Sequence, residues 1–467
     1  MPQTDPFATA IEMLAALNRG DVSSVELTEL HIERIERLDP KINGVVVRDF
    51  DRARVQARRA DAERAAGGSL GALHGLPHTI KESTAAEGLA QTAAIPEFAG
   101  HVAADDGPVA AKVRAAGGVL LGKTNIPPYV ADIQANNETY GRSLNPWDPA
   151  RVPGGSTGGG AAAVAAGLTP LEFGSDIGGS IRIPAMFCGI YGHRPSETAV
   201  TRVGAVPAST RPNPAFFMGV QGPLARSADD LELALDVIAG PEVGEDVAWK
   251  LQLPPSRHGR LKDFRVAVLP QIDWCLIDDG LLGAQEAAAA ALSGLGAKVA
   301  VAAPDFDLHE HHRNYMRLLD TLINSPLTPE QRAAAGLRPP ASSSEFISWI
   351  AGREVYREAY RAFFREWDIL LCPTTIMPAF EHDDRPMAER TIVINAVERP
   401  FSGFLAYSGW ATLSGQPSTA FPMGLNSRGL PLGLQAIGPY LEDRTTLRFA
   451  SLMADECGGF ERPPGFD

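Results

Sequence analysis

The chain has 467 residues, of which 45% are hydrophobic and 21% charged, a composition typical of a folded globular protein that argues against a disordered or fibrous chain. A formal net charge of −14, with no block of consecutive Lys or Arg, argues against nucleic acid as a partner. Four scattered cysteines without a C-x-x-C pair favour reduced thiols in the cytoplasm over a disulfide framework or a zinc site. No stretch approaches the roughly 18 apolar residues of a membrane span, and no signal-peptide pattern is present, so we expect a soluble, unprocessed protein.

Helices and short strands alternate along the first third of the chain, which is the pattern of an α/β protein. The spacing of apolar residues distinguishes the two element types. In chain order it predicts two amphipathic helices over 8–38, with Asp21 or Ser23 capping the second, a polar helix over 50–66, a strand at Thr79 and Ile80, a helix over 108–116 and a buried strand at Val119–Leu121.

The remaining two thirds follow the same pattern with one interruption. Residues 125–153 are rich in Pro and Asn and are predicted to form loops, and an Ala-rich helix follows Gly160. A β-α-β unit begins near 264. Residues 303–345 are predicted to be an irregular, lid-like surface excursion. With no repeat and no long linker, we expect one domain over 1–467.

Three segments suggest familiar binding motifs, but none of them fits the motif and its context. GGVLLGKT (117–124) fits a phosphate loop, yet its strand residues lie inside the loop and Pro127 and Pro128 prevent a helix from starting in register. Gly158-x-Gly160-x-x-Ala163 follows a Pro-rich segment where a dinucleotide site needs a strand. The HEHH run (309–312) lacks metal-site spacing and is predicted to be a solvated loop or helix face. No metal or cofactor is expected.

The stretch GGSTGGG (154–160) raises the question of what Ser156 does. It matches the G-x-S-x-G nucleophile elbow, but an elbow sits on a strand-to-helix turn, and Pro-rich loop precedes this one. A triad would also need a histidine, and His193, His258 and His382 lie in no recognisable acid-base setting. Ser156 is therefore a weak candidate for a histidine-assisted nucleophile.

The segment GSDIGGSIRIP (174–184) is a stronger candidate. Its consecutive glycines leave the backbone N–H groups of Ile177, Gly178, Gly179 and Ser180 sterically free to converge on one point, as an oxyanion hole requires. Ser180 would then attack a carbonyl whose developing charge these amides receive. The alternative is a tight structural turn.

A base for Ser180 is missing among the histidines, and Lys81 is the candidate. It directly follows the apolar strand at Thr79 and Ile80. A free lysine has a pKa of about 10.4, and burial without a strong counter-ion would lower it until the neutral amine accepts a proton. The alternative is an ordinary surface or ion-paired lysine.

Together these segments closely resemble the amidase signature family of serine hydrolases. The resemblance is carried, in order along most of the chain, by LHGLPHTIKES (73–83), GKTNIP (122–127), ETYGRSLNPWDPARVPGGSTGGGAAAVAAG (138–167), GSDIGGSIRIPAMFCGIYGHRPS (174–196) and GLPLGLQAIGP (429–439). It implies one α/β/α domain, a mixed, twisted, many-stranded sheet covered by helices on both faces.

The resemblance also implies a Ser-cis-Ser-Lys mechanism without a cofactor. Its roles are a neutral base at Lys81, a bridging serine on a cis peptide bond at Ser156 and a nucleophile at Ser180. The amides of Ile177, Gly178, Gly179 and Ser180 would form the oxyanion hole, with Thr157, Asp176 and Arg182 as supports around the site. Glu82, Thr157 and the GHRPS ending depart from the usual pattern and argue against close kinship with the glutamine amidotransferase subunits.

The expected activity is hydrolysis of the carbon–nitrogen bond of a small-molecule amide or carbamate (urethane), with esterase activity as a side reaction. Members of the family hydrolyse aryl, alkyl and fatty amides, nylon-type oligomers and urethanes, and the sequence does not choose among these. Loop placement suggests Tyr129, Ile133 and Phe401 as contributors to a partly apolar acyl pocket, in a monomer or homodimer. Two alternatives stay open: a glutamine-hydrolysing subunit of an amidotransferase complex, and a non-catalytic binding protein with the same fold.

Overall fold

Eleven strands of the described residues form one sheet. The computed structural model describes residues 5–207, 217–242, 244–324, 327–334 and 339–467. The sheet contains β1 (Val45–Arg48), β2 (Pro77–Lys81), β3 (Val119–Thr124), β6 (Leu171–Asp176), β7 (Tyr191–Arg194), β8 (Val220–Ala225), β9 (Arg265–Val268), β10 (Lys298–Val301), β11 (Ile369–Pro373), β14 (Ser418–Leu425) and β15 (Pro431–Ile437). Two small hairpins, β4 (Asn136–Asn137) with β5 (Gly141–Arg142) and β12 (Thr391–Ile394) with β13 (Val397–Pro400), lie apart from it.

The sheet is mixed. Its order is β1-β3-β2-β6-β8-β7-β14-β15-β11-β9-β10. Strand β2 pairs in parallel with both β3 and β6, and β9 pairs in parallel with β10 and β11, while the other pairs are antiparallel. Two parallel blocks joined by antiparallel strands confirm the predicted mixed sheet.

Thirteen α-helices of the described residues accompany the sheet. They are α1 (Ala10–Arg19), α2 (Ser24–Leu38), α3 (Phe50–Ala65), α4 (Pro108–Ala115), α5 (Gly158–Ala165), α6 (Arg182–Cys188), α7 (Ala228–Ile238), α8 (Asp279–Gly294), α9 (Leu308–Asn324), α10 (Pro329–Ala334), α11 (Ser343–Glu366), α12 (Gly409–Thr412) and α13 (Asp443–Cys457). Ser23 caps α2 through a capping box with Glu26, so of the two predicted caps Ser23 is the one used.

Helices cover both faces of the sheet. This is shown by neighbouring residues of one strand, which pack in different hydrophobic cores. Leu371 packs in a core that contains residues of α1, α4, α7 and α13, whereas Leu370 packs in a second core with residues of α6 and α8. Likewise Leu120 belongs to the first core and Leu121 to a third core formed with α2, α3 and α5. This alternation is the period of a strand buried on both sides and confirms the predicted α/β class.

The prediction of an irregular excursion over 303–345 is wrong for most of its described part. Helices α9 and α10 lie in this stretch and α11 begins in it, while residues 325–326 and 335–338 lie outside the described residues. Buried positions 311, 315, 318 and 319 recur at helical spacing in α9. The polar run at its start, HEHHRN, obscures this period in the sequence.

The HEHH histidines lie on α9. The prediction that this run forms a solvated face is wrong for one of them. His311 is 1% exposed and stacks on Trp410 with ring centroids 4.8 Å apart. His309 and His312 both stack on Trp274. Within the described ranges no group of three or more His, Cys, Asp or Glu side chains is placed to hold a metal ion, and no helix there has the length and apolar character needed to cross a bilayer.

Candidate active site

The site lies where the parallel strands β2 and β6 end, the usual position of active sites in open α/β sheets. Lys81 is the last residue of β2. Its neighbour Ile80 enters the core under α1, α4 and α7, so Lys81 points to the opposite face, toward α5. Ser156 precedes α5, and Ser180 lies in the turn between β6 and α6. Three separate segments of the sequence therefore meet at this edge.

Lys81 is fully buried, and its amine contacts hydroxyl groups. Its Nζ lies 2.8 Å from Ser156 Oγ, 3.0 Å from Thr157 Oγ1 and 3.0 Å from Ser175 Oγ. No carboxylate of the described residues comes within 4.0 Å of it. Burial therefore lowers the pKa of Lys81 to about 7, although the more distant charges of Glu172 and Asp176 oppose this shift. At neutral pH a large fraction of the amine is unprotonated.

The peptide bond between Gly155 and Ser156 is cis, and the chain around it is tightly packed. A Cβ on Gly155 would lie 2.5 Å from the carbonyl oxygen of Asp132 and 2.7 Å from the carbonyl carbon of Ile133. Only glycine fits there. The loop 132–133 therefore holds the backbone that presents the fully buried hydroxyl of Ser156 to Lys81.

Ser180 lies beside the Ser156–Thr157 segment. The N–H of Thr157 donates to the carbonyl oxygen of Ser180 at 3.1 Å, which joins the two segments. Lys81 and Ser156 are both 0% exposed and Ser180 is 7% exposed. The cluster therefore has an opening to solvent at Ser180, and Ser175 is similarly exposed, at 8%.

Backbone amides surround this opening. Gly179 has φ +91°, a left-handed conformation that turns the chain between β6 and α6, and its N–H donates to Asp176 Oδ1 at 3.0 Å. In the described part of the chain no group accepts from the N–H groups of Ile177, Gly178 or Ser180. Of the four amides predicted to form an oxyanion hole, three have no acceptor among the described residues, and the fourth holds the turn.

Asp176 anchors that turn. Its carboxylate lies 3.0 Å from Arg182 and 3.6 Å from Arg194, all three side chains are fully buried, and it also accepts from the N–H of Ile181 at 3.2 Å. Burial opposes ionisation, but the charge and hydrogen bonds of Arg182 and the charge of Arg194 hold the pKa of Asp176 below its ordinary value. Arg194 was not anticipated from the sequence, because nothing in GHRPS marks it as part of the site.

Glu172 is a second residue that the sequence motifs did not reveal. It pairs with Thr79 across β2 and β6, so it lies on the same face as Lys81. Its carboxylate is buried and accepts from Thr124 at 2.7 Å, and a Cβ on Gly160 would lie 2.6 Å from it. Burial raises the pKa of Glu172 to about 7. Strand alternation across β2 and β6 was the signal that could have found it.

Helix α9 supplies a third unforeseen contact. The Tyr315 hydroxyl donates to the carbonyl oxygen of Ile177 at 3.2 Å, and Tyr315 is fully buried. A Cβ on Gly178 would lie 3.7 Å from this hydroxyl and 3.8 Å from Leu405. Ile177 and Leu405 also pack against an apolar cluster whose buried members are Met218, Tyr315, Leu318, Leu319, Tyr356 and Leu413.

The three predicted pocket residues occupy different settings. Tyr129 is 55% exposed in a turn with φ 57°. Ile133 and Phe401 are buried in one apolar cluster, where Phe401 stacks on Phe404 with centroids 5.1 Å apart. Phe401 also borders a cavity of about 590 Å³ whose described lining contains none of Lys81, Ser156 and Ser180. The role of these residues in substrate binding stays a prediction.

Two of the three histidines considered as bases, His193 and His258, have structural partners. His193 is buried between Thr419 Oγ1 at 2.9 Å and Asp443 Oδ1 at 3.2 Å. The hydroxyl of Ser196 also donates to Asp443, at 2.7 Å. His193 and Ser196 therefore both bind the Asp443 carboxylate, and they do not form the serine–imidazole contact of a catalytic triad. His258 Nε2 donates to Asp368 Oδ2 on the far block of the sheet.

Comparison with known proteins assigns the family. A family model described as Amidase matches residues 26–447. The chain therefore belongs to the amidase family, and it is an enzyme that hydrolyses carbon–nitrogen bonds other than peptide bonds. This confirms the family that the sequence motifs indicated.

Two groups of relatives are similar over nearly the full chain. An indoleacetamide hydrolase of Bradyrhizobium diazoefficiens is 31% identical, with 93% of this chain and 84% of that protein covered. A glutamyl-tRNA(Gln) amidotransferase subunit of a Synechococcus strain is 32% identical, with 93% of each covered. Among solved structures, a 6-aminohexanoate cyclic dimer hydrolase with bound substrate has a TM-score of 0.81 at 26% identity, with 99% of this chain and 100% of that one covered.

Proposed function

We propose that this enzyme hydrolyses an amide or carbamate through an acyl-enzyme on Ser180, with Ser156 as the bridging serine and Lys81 as the base. The neutral Lys81 amine accepts the proton of Ser156 while Ser156 takes that of Ser180. The Ser180 oxygen bonds to the substrate carbonyl carbon, and the resulting oxyanion is received by the N–H groups of Ile177, Gly178 and Ser180.

The return of the proton completes the first half of the reaction. It passes from Lys81 through Ser156 to the nitrogen of the leaving group, the carbon–nitrogen bond breaks, and an amine departs. Water then attacks the acyl carbon, gives its proton to the same relay, and the bond between that carbon and Ser180 breaks as Ser180 recovers a proton. An ester enters the same cycle with an alcohol as leaving group, so esterase side activity is expected.

The observation that carries this proposal is the buried contact between Lys81 Nζ and Ser156 Oγ. A lysine in this position, 2.8 Å from a serine, with no carboxylate partner among the described residues and with a pKa of about 7, is suited to accept a proton at neutral pH. Strongly perturbed amines cluster at functional sites, which favours an enzyme over a non-catalytic binding protein. The similarity to an indoleacetamide hydrolase and to a 6-aminohexanoate cyclic dimer hydrolase supports the same function.

The surroundings of Gly178 favour a substrate with an apolar acyl group. Leu405 faces this glycine, and Ile177 beside it packs against the apolar cluster around Met218 and Tyr315. An apolar wall stabilises an alkyl or aryl group by about 25 cal/mol for each Å² removed from water and offers nothing to the charged ends of free glutamine. We expect a small-molecule amide or carbamate of this kind, turned over by a monomer or homodimer.

The similarity to glutamyl-tRNA(Gln) amidotransferase subunits supports a second candidate function. In that case the enzyme would hydrolyse glutamine only when bound to partner proteins. Co-purification from the native host, with glutaminase activity appearing only in the complex, would favour it. Turnover of aryl amides or carbamates by the purified chain alone, without glutaminase activity, would favour the hydrolase.

A serine-reactive probe and a substrate panel test the proposal together. We expect a fluorophosphonate to label the wild-type enzyme and the Ser293→Ala control, which removes an exposed helical serine, but not Ser180→Ala. The panel contains aryl amides, primary amides, aryl carbamates and esters. Equal labelling of Ser180→Ala and the wild type would refute Ser180 as the nucleophile.

A further inference from the structure

One peptide plane of the oxyanion loop is held from outside the loop. The Tyr315 hydroxyl of α9 donates to the carbonyl oxygen of Ile177 at 3.2 Å. In a trans peptide the C=O of one residue and the N–H of the next lie in one plane and point in opposite directions. A donor that fixes the carbonyl of Ile177 on the α9 side therefore directs the N–H of Gly178 away from α9.

The loop itself lacks the means to hold that plane. Gly178 and Gly179 carry no Cβ, and glycine populates both signs of φ, so rotation of the peptide units around them meets little steric resistance. Gly179 is fixed by the bond from its N–H to Asp176, and the backbone of Ser180 by the Thr157 N–H. The Tyr315 hydroxyl gives the peptide preceding Gly178 its fixed partner.

The Tyr315 side chain is itself held in place by close packing. Its ring lies against Gly409, where an added Cβ would come 2.7 Å from the ring. One turn earlier on α9, His311 stacks on Trp410 and on Phe306, each with centroids 4.8 Å apart. Burial also raises the pKa of the Tyr315 hydroxyl, which therefore stays protonated and able to donate.

We propose that Tyr315 is a positioning residue of the oxyanion hole, which fixes the peptide plane between Ile177 and Gly178 so that the N–H of Gly178 points at the substrate oxyanion. This inference rests on the proposed hydrolase function. It follows that α9, although distant in sequence from the oxyanion loop, supports the catalytic site and is not a cover over it.

The matched test compares Tyr315→Phe with Tyr360→Phe. Both changes remove one buried hydroxyl that donates to a backbone carbonyl, since Tyr360 donates to Trp410 at 2.8 Å, and both keep the ring. With 4-nitrophenyl benzoate and N-(4-nitrophenyl)benzamide as substrates, Tyr315→Phe is expected to lower kcat by about 3- to 10-fold with KM unchanged, the range for one neutral hydrogen bond. Tyr360→Phe is expected to keep kcat.

Inhibitor affinities separate positioning from a merely structural role. Trifluoroacetophenone forms a tetrahedral adduct with a nucleophilic serine, whereas benzoate resembles the product. Tyr315→Phe should weaken trifluoroacetophenone by the same factor as kcat/KM and leave benzoate unchanged. Equal effects on both inhibitors, or an equal loss of kcat in Tyr360→Phe, would overturn the inference. A wild type without activity on the whole substrate panel would instead refute the proposed function.

Discussion

Lys81 Nζ lies 2.8 Å from Ser156 Oγ and 3.0 Å from Ser175 Oγ, so one buried amine contacts two serines at nearly equal distances. The two serines differ in what lies beyond them. Ser156 is joined through Thr157 to the backbone of Ser180, whereas Ser175 is a residue of β6. The proposed relay therefore assigns the proton transfer between Ser180 and the amine to Ser156.

This asymmetry predicts different outcomes for two similar substitutions. Ser156→Ala should lower the acylation rate by about 10²- to 10⁴-fold, the usual contribution of positioned proton transfer. Ser175→Ala removes a contact of the same amine and should change the rate only a few-fold. Stopped-flow measurement of amine release checks both variants, and comparable losses in the two would contradict the relay.

The pKa of Lys81 sets the expected pH dependence. In the proposed mechanism the active form is the neutral amine, so activity should rise with pH through the Lys81 pKa of about 7 and reach a plateau above it. Two units below a pKa only about 1% of an amine is neutral, so kcat/KM at pH 5 should be roughly a hundredth of the plateau. A profile of kcat/KM that is flat between pH 5 and 8 would exclude Lys81 as the base.

Glu172 should shift that profile. When ionised, its carboxylate stabilises the Lys81 ammonium and opposes the lowering of the Lys81 pKa. Glu172→Gln removes this charge and retains the oxygen that accepts from Thr124, so the apparent pKa for activity should fall. The control is Glu82→Gln, since Glu82 follows Lys81 in sequence but accepts from Thr92 and Tyr140. An unchanged profile in Glu172→Gln, or an equal shift in both variants, would contradict this role.

The helices and strands could be predicted from the sequence more completely than the contacts between residues of the site. The helices α1, α2 and α4 follow from apolar periodicity, because each buries one face, whereas α3 follows from its Arg- and Ala-rich composition and the strands β2 and β3 from short apolar runs. The pairing of Lys81 with Ser156 followed from the family motifs, since the residues lie 75 positions apart and no local pattern links them. Contacts such as those of Tyr315 and Arg194 depend on tertiary packing. Tyr315 lies outside the family segments, and Arg194 lies within one of them but at a position to which no role was assigned.

The hydroxyl of Thr157 is expected to contribute to activity, and its methyl group to stability. Its hydroxyl contacts Lys81 at 3.0 Å, and its methyl group packs at the position where a Cβ on Gly174 would lie 2.6 Å away. Thr157→Val keeps the shape and removes the hydroxyl, so kcat should fall about 10-fold with little change in the unfolding midpoint. Thr157→Ser should keep kcat and lose about 1 kcal/mol of stability with its methyl group. The reverse pattern in kinetics and urea unfolding would show that Thr157 acts by packing alone.

Asp176 should be needed for both stability and rate, because it balances two buried arginines and also holds the turn that carries Ser180. Asp176→Asn leaves Arg182 and Arg194 without a full counter-charge in the interior and should destabilise the fold by about 3–5 kcal/mol. Asp368→Asn is the matched control, since Asp368 is a fully buried carboxylate paired with Arg257 and Arg265 away from the site. Urea unfolding should show a loss in both variants, whereas kcat measured well below the unfolding transition should fall only in Asp176→Asn, through the weakened bonds to the N–H groups of Gly179 and Ile181. A normal kcat in Asp176→Asn would mean that the arginines and the glycine turn hold Ser180 in place without the carboxylate charge.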